Sequence, residues 1–188
     1  MTVPFDDFAD LVRSRRTNLF VDPSRQVPNE LVDQLCELAT WAPNHKRTWP
    51  WRFAHLIGEA RARLGDAFAD DMVERDFGDE FKRTKTRTKY TRTPSILVVA
   101  CAAHVKPTLH DENRDAVAAG IQNLLLGATA RGIATFWSTP ALNDSKRALE
   151  MCGFDPTDTI VAVIYLGWGT SNVATPDRPP VTVSHISA

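Results

Sequence analysis

Two apolar segments constrain the fold of this chain more than any other feature of its sequence. Residues 95–102 (SILVVACA) and 160–166 (IVAVIYL) are short, uncharged and rich in β-branched side chains. Runs of this kind are typical of strands that are buried on both faces of a sheet. We therefore expect helices to cover both faces of a central sheet.

The rest of the chain alternates between extended and helical patterns. Two further strands are expected at 51–57 and 134–137. Asn29 is a candidate cap for the second helix, which should bury Leu31, Leu35 and Leu38. About four strands among helices, without repeats or a linker, indicate one α+β or α/β domain over residues 1–188. Apolar spacing predicts helices near residues 5–14, 29–42, 59–77, 115–131 and 145–151.

Two segments fall outside this regular pattern. Residues 80–93 (EFKRTKTRTKYTRT) are strongly basic, and we expect a solvated lid or loop here instead of an RNA contact, because the rest of the chain is acidic. The tail from 167 to 188 is rich in Pro, Thr and Val and has no helical period. Such a tail is either disordered or an extended arm that packs on a partner surface.

The composition argues against several classes of function. With 22 Lys and Arg against 23 Asp and Glu, the chain has no general attraction for nucleic acid or anionic membranes. No apolar run approaches the length of a membrane span, and the start MTVPFDDF lacks the pattern of a signal peptide. We expect a cytoplasmic protein without a metal site. Three widely spaced cysteines with apolar neighbours predict buried free thiols, at Cys36, Cys101 and Cys152.

Three polar islands interrupt the regular elements and are candidate binding sites. The first island, Arg15-Arg16-Thr17, ends the first helix. Its two guanidiniums and hydroxyl could donate hydrogen bonds to a phosphate or a polyol. Alternatively, the cations are simply favoured by the dipole at a helix C-terminus.

The second and third islands combine aromatic with polar residues. Residues 41–45 (WAPNH), followed by 49–51 (WPW), could form a wall against a planar ligand, although tryptophans are also ordinary core anchors. A lone His45 is more often structural than catalytic. The third island, 136–140 (FWSTP), follows a strand, where ligands commonly bind. No nucleophile elbow, Gly-rich phosphate loop or GxGxxG motif is present.

Taken together, the islands resemble the nitroreductase family. The similarity is colinear over residues 8–170 and is greatest to the minimal, single-domain bacterial branch. The segments that carry it are Arg15-Arg16-Thr17, 42–46 (APNHK), 50–53 (PWRF), 116–132 (AVAAGIQNLLLGATARG), 137–139 (WST) and 165–167 (YLG).

The resemblance implies a fold, a cofactor and an assembly. It implies an α+β fold with a mainly antiparallel central sheet flanked by helices. It also implies an obligate homodimer with an extended C-terminal arm and one FMN in each of two clefts at the interface. NADH or NADPH would be the co-substrate, and a nitroaromatic, a quinone or a similar small molecule the electron acceptor.

The resemblance also assigns residues to the cofactor. By this carry-over the first island holds the FMN phosphate and ribityl chain, with Arg178 as a further phosphate contact. Thr17 stands where Ser is common, which keeps the hydroxyl, and Trp41 stands where a basic residue can occur. The flavin-lining residues would be Trp41, His45, Trp137, Ser138 and Thr139. The nicotinamide nucleotide is associated in this branch with Gly127, Ala128, Thr129, Ala130, Arg131 and Gly132.

Under this hypothesis the cofactor carries the chemistry and the protein binds and orients it. Hydride would pass through the flavin N5, so no side chain need act as a nucleophile or general base. The alternatives are a flavoprotein of the same fold with another reaction, such as enone reduction, dehalogenation or flavin breakdown, and a non-catalytic FMN-binding protein.

Overall fold

The central sheet has four strands, and a computed structural model describes residues 2–187 of the chain. The strands are β1 (Trp51–Ile57), β2 (Ser95–Cys101), β3 (Ile133–Ser138) and β4 (Thr159–Trp168), in the order β1-β2-β4-β3, with every pairing antiparallel. The two apolar segments of the sequence are therefore the two central strands. The expected α+β class with an antiparallel sheet is confirmed.

Helices cover both faces of the sheet. One face of β2 and β4 packs against α2 and α5, and the other packs against α3, α6 and Tyr90. Because successive side chains of a strand point to opposite faces, each central strand contributes to both layers. The helices are α1 (Phe5–Ser14), α2 (Asn29–Ala39), α3 (Ala60–Glu74), α4 (Glu80–Thr88), α5 (Pro107–Ala130) and α6 (Lys146–Met151), with short 3-10 turns at His45–Arg47 and Lys89–Thr91.

Helix α5 is the longest element and determines where the site can lie. Its 24 residues span about 36 Å. Midway along it, a Cβ on Gly120 would lie 2.5 Å from the Ala39 carbonyl oxygen and 2.6 Å from the Trp51 indole nitrogen. Only glycine permits this close approach, so Gly120 fixes α5 against the end of α2 and the start of β1.

Helix α5 begins eight residues earlier than the sequence indicated. It starts at Pro107 instead of near residue 115. Pro107 occupies the first helical turn, where proline is favoured. The polar turns that follow carry no apolar stripe by which the sequence pattern could have detected them.

The basic segment is helical, so the expectation of a loop is wrong, although most of its side chains are exposed to solvent as expected. Asp79 caps α4 by accepting a hydrogen bond from the Lys82 amide. Arg87 forms ion pairs with Asp66 and Asp70 of α3. Tyr90, at the end of the segment, is completely buried between the α3 layer and the sheet. The segment is thus part of the packed structure.

Two details of helix α2 also differ from expectation. Pro28 occupies the cap position, and the Asn29 side chain instead lies 3.0 Å from Nδ1 of His55. Leu35 is buried as predicted, but Leu38 is 40% exposed. The three cysteines are free as expected, but only Cys101 is fully buried, whereas Cys36 and Cys152 are partly exposed.

Apolar side chains remain uncovered at both ends of the chain. Phe5, Phe8 and Val12 of α1 are 76%, 50% and 40% exposed. Residues 170–187 form no helix or strand, and their apolar side chains, such as Val181 and Ile186, are largely exposed. Within residues 2–187, no helix is long and apolar enough to cross a membrane.

Candidate functional site

The first cleft lies at the C-terminal end of α5 and has a volume of about 690 Å³. Three segments of the chain meet there: the end of α1, the turn between α5 and β3, and the start of the tail. The lining residues include Ser14, Arg16, Asn18, Thr129, Gly132 and Thr175.

Backbone pairing holds the first island in this cleft beside β3. Thr17 forms an isolated parallel bridge with Thr135, and the Asn18 amide donates to the Thr135 carbonyl at 2.9 Å. Two residues later, the Phe20 carbonyl accepts from the Thr170 amide at 2.9 Å. The chain that follows α1 is therefore fixed between β3 and the tail.

Three guanidinium groups converge at this end of the molecule. Arg16 donates to the Arg15 carbonyl at 2.8 Å and to the Thr175 hydroxyl at 2.5 Å, but its buried Nε has no partner among residues 2–187. Burial, followed by the positive charges of Arg16 and Arg178, lowers the pKa of Arg15 below its usual value. Within the described chain, none of the three pairs with a carboxylate. An uncompensated cluster of this kind suits an anion.

The third island continues the same edge of the sheet. Trp137 is half-buried and packs against the α5 layer, whereas Ser138 is half-buried and Thr139 is exposed at the end of the strand. The buried hydroxyl of Thr135, on this strand, lacks a hydrogen-bond partner in the described residues. From Thr135 to Ser138 the strand extends about 10 Å. The first and third islands therefore lie along the same edge strand of the sheet.

The second cleft lies at the opposite end of α5, with a volume of about 420 Å³. There, Nδ1 of His45 is 2.6 Å from a Glu112 carboxylate oxygen. Trp41 lies nearby in the chain and is 73% exposed, with its indole N–H donating to Glu37. The cleft is lined by Pro43, His45, Glu112, Asp115, Ala116 and Ala119.

The loop that carries His45 has an unusual backbone. Three of its non-glycine residues, Lys46, Arg47 and Trp49, have φ of 62°, 51° and 51°, in the left-handed region. Such conformations cost energy and persist where the surroundings impose them, often at binding sites. The backbone of residues 46–49, in the middle of the second island, is therefore strained.

A polar network that the sequence analysis missed holds this loop. The side-chain oxygen of Asn44 accepts from the Trp49 amide at 2.9 Å, and its amide group donates to the Thr48 hydroxyl at 3.0 Å. Thr48 in turn donates to the side chain of Asn113, which is buried on α5. Asn44 belongs to the APNHK motif at residues 42–46. Nothing in the sequence, however, indicates that this motif is linked to Asn113 on α5.

The second island does not join the first within one chain. Glu112, beside His45, and Thr129, in the first cleft, are separated by about 25 Å along α5. A ligand in the first cleft thus lies at the far end of the helix from its own chain's His45.

The residues associated with the nicotinamide nucleotide differ in their surroundings. Ala128 is completely buried in the core, and a Cβ on Gly127 would lie 2.7 Å from the Leu38 side chain. Thr129 and Gly132 line the first cleft. Ala130 and Arg131 are exposed at the end of the helix.

The sequence and the fold place the chain in a known family. The model of the Nitroreductase family matches residues 12–168, most of the chain. The chain therefore belongs to the nitroreductase family, and the resemblance found in its sequence is confirmed.

Individual relatives support this assignment. The Bacillus subtilis protein named "Putative NAD(P)H nitroreductase YfhC" is 28% identical over 180 residues, which cover 92% of this chain and 89% of that protein. The crystal structure of a nitroreductase-like family protein from Bacillus cereus is 27% identical, with a TM-score of 0.79, and the match covers 96% of this chain and 95% of that one. Oxidized iodotyrosine deiodinase, solved with FMN and 3-iodo-L-tyrosine, shares the fold at 17% identity and a TM-score of 0.69, over 95% of this chain and 98% of that one.

Proposed function

We propose that this chain is a cytoplasmic, FMN-dependent oxidoreductase that transfers hydride from NADH or NADPH to a small acceptor such as a nitroaromatic or a quinone. One observation carries the proposal: three guanidiniums that have no carboxylate partner among residues 2–187 converge where the first island pairs with β3. Three free thiols are in keeping with a reducing compartment.

The first cleft and the side chains next to it fit the chemical groups of FMN. Arg15, Arg16 and Arg178 would hold the phosphate, because guanidiniums donate charge-assisted hydrogen bonds to phosphate oxygens. The unpartnered Nε of Arg16 is a donor that such a ligand would satisfy. Thr17 would contact the ribityl chain.

The flavin ring would follow the edge of β3 from the phosphate site. Trp137, Ser138 and Thr139 would offer it an aromatic side chain, two hydroxyls and strand-end amides. Bound FMN would accept two electrons from a nicotinamide and pass them on. Of the residues associated with the nicotinamide nucleotide, Thr129 and Gly132 have surface in the same cleft and remain the candidates for contact.

The complete site would need a second copy of the chain. His45 lies about 25 Å along α5 from the first cleft, so it would line the flavin held by a partner. Trp41, four residues before it and exposed, would line the same flavin. The exposed apolar stripe of α1 and the apolar side chains of the tail are surfaces that a homodimer would bury. Burial would contribute roughly 25 cal/mol per Å² of apolar surface.

The proposal is tested by purifying the protein and measuring its absorbance spectrum, then its oxidation of NADH and NADPH with a panel of acceptors. We expect a flavin spectrum and faster nucleotide oxidation with nitroaromatics or quinones. Turnover restricted to halotyrosines, enones or free flavin would instead assign dehalogenation, enone reduction or flavin breakdown. Bound FMN without turnover would indicate a binding protein, and a protein that takes up no FMN would contradict the proposal.

A further inference from the structure

The second cleft contains a histidine–carboxylate pair whose carboxylate has no part in the proposed cofactor contacts. Nδ1 of His45 lies 2.6 Å from Glu112, and the carboxylate of Asp115 lines the same cleft. The side chains of His45 and Glu112 are 58% and 45% exposed, so water reaches both.

We infer that His45 delivers a proton to the electron acceptor and that Glu112 positions it. This inference rests on the proposed function and goes beyond it, since the flavin chemistry alone names no side chain as an acid. Transfer of hydride to a quinone or a nitro group places negative charge on an oxygen, which an adjacent N–H can neutralise.

The contact with Glu112 determines which ring nitrogen exchanges its proton. A carboxylate accepts hydrogen bonds only, so Nδ1 keeps its proton toward Glu112 in both charge states of the ring. Nε2 is then the nitrogen that gains and loses a proton. Glu112 therefore acts as a positioning residue and His45 as the catalytic acid.

The strained loop and α5 fix this pair relative to each other. Asn113, next to Glu112 on α5, accepts the hydrogen bond of Thr48, and Thr48 is linked to Asn44 beside His45. The histidine and its carboxylate are thus tied together twice, once directly and once through a buried asparagine. Such reinforcement is expected of a group whose direction matters.

The proton balance of the reaction is complete. A quinone that accepts a hydride, supplied originally by NAD(P)H through the cofactor, needs one further proton to become a hydroquinone. The Nε2–H bond of His45 breaks as the O–H bond of the product forms. Water in the open cleft then returns a proton to Nε2, and no further oxidant or reductant is needed.

The first test compares two acceptors in the loaded enzyme. Ferricyanide accepts single electrons and takes no proton, whereas a quinone requires one. In Glu112→Gln we expect the ratio of quinone to ferricyanide turnover to fall roughly tenfold or more, because general acids contribute on this scale or above it. Glu150→Gln, an exposed glutamate on α6, is the matched control and should leave the ratio unchanged.

The second test observes the imidazole itself in the cofactor-free protein. A ¹⁵N–¹H correlation spectrum should show neutral His45 with its proton on Nδ1, and Glu112→Gln should shift that proton toward Nε2. His45→Gln provides a second variant and should bias turnover against the quinone in the same way.

The outcomes separate this inference from the proposed function. Equal losses with both acceptors, or a neutral imidazole protonated on Nε2 in the wild-type protein, would overturn the role of the pair while leaving the flavoenzyme intact. Failure of the wild-type protein to bind FMN, or to reduce ferricyanide with NAD(P)H, would instead overturn the proposed function.

Discussion

The two ends of helix α5 present opposite chemistry. At its C-terminal end the cleft is surrounded by guanidiniums and hydroxyls, with no carboxylate paired to Arg15 or Arg16 in the described structure. At its N-terminal end the cleft contains a histidine with two carboxylates, and an exposed tryptophan precedes it in the chain.

This difference suggests how the proposed work is divided. The cationic end suits a phosphate, whereas the acidic and aromatic end suits a flat ring and a proton. Because α5 is about 36 Å long, the two ends cannot contact the same ligand in one chain. Each chain would therefore contribute its cationic end to one site and its acidic end to the other. Substitutions at each end test whether the two ends differ in function as they do in chemistry.

The largest effect is expected from removal of the tail. Deleting residues after Asn172 removes Arg178, the Thr175 contact to Arg16 and the exposed apolar side chains of the arm. We expect a shift toward monomer together with a loss of FMN affinity greater than that of any single arginine variant. Light scattering and FMN titration measure the two effects. Arg178→Ala in the full chain is the control, and it should weaken FMN binding without dissociating the dimer.

The next largest effect should come from Arg15. Arg15→Ala should weaken FMN binding by about 1.5–3 kcal/mol, the contribution of a charged hydrogen bond. Fluorescence titration with FMN gives the dissociation constant. Arg13→Ala, which removes an exposed guanidinium that faces Asp10, should leave that constant nearly unchanged. If both variants bind FMN like the wild type, the cations of the first island do not bind the phosphate and only interact favourably with the helix dipole.

A substitution midway along α5 should destabilise the folded chain and thereby disturb the clefts at both ends of the helix. Gly120→Ala places a methyl group against the Ala39 carbonyl and the Trp51 indole, so we expect a loss of about 1–3 kcal/mol in the free energy of unfolding. Chemical denaturation measures it. Ala130→Ser, at an exposed position of the same helix, should cost little. Equal stability of the two variants would mean that α5 does not approach its neighbours as closely as described.

The smallest effect is expected at the aromatic end. Trp41 is 73% exposed, so Trp41→Ala should scarcely change the free energy of unfolding but should weaken FMN binding by about 0.5–1.5 kcal/mol through lost aromatic contact. Phe81→Ala removes an equally exposed aromatic side chain from α4 and is the matched control. A loss of stability in the monomer would identify Trp41 as a core residue.

The sequence predicted the parts of the site better than their arrangement. The central strands were recognisable because β-branched, uncharged runs have few alternatives. Arg15 and Arg16 could be singled out because paired guanidiniums after an apolar stripe are chemically distinctive. The separation of His45 from these residues could not be predicted, since it depends on where α5 begins, and Pro107 precedes turns without any apolar period.

Tertiary contacts explain the errors in the basic segment and in α2. Helix α4 has almost no apolar residues to mark its buried side, and ion pairs from Arg87 to two aspartates of α3 contribute to its attachment. Asn29 has the composition of a cap but is drawn to His55, a residue of β1 that is remote in sequence. Neither contact has a local signature.

The most direct test of the central claim is a titration of cofactor-free protein with FMN, combined with light scattering of the product. The proposed site predicts one FMN bound per chain, a particle with the mass of two chains, and an affinity that falls as salt screens the guanidinium cluster. Protein that stays colourless and monomeric at saturating FMN would contradict it.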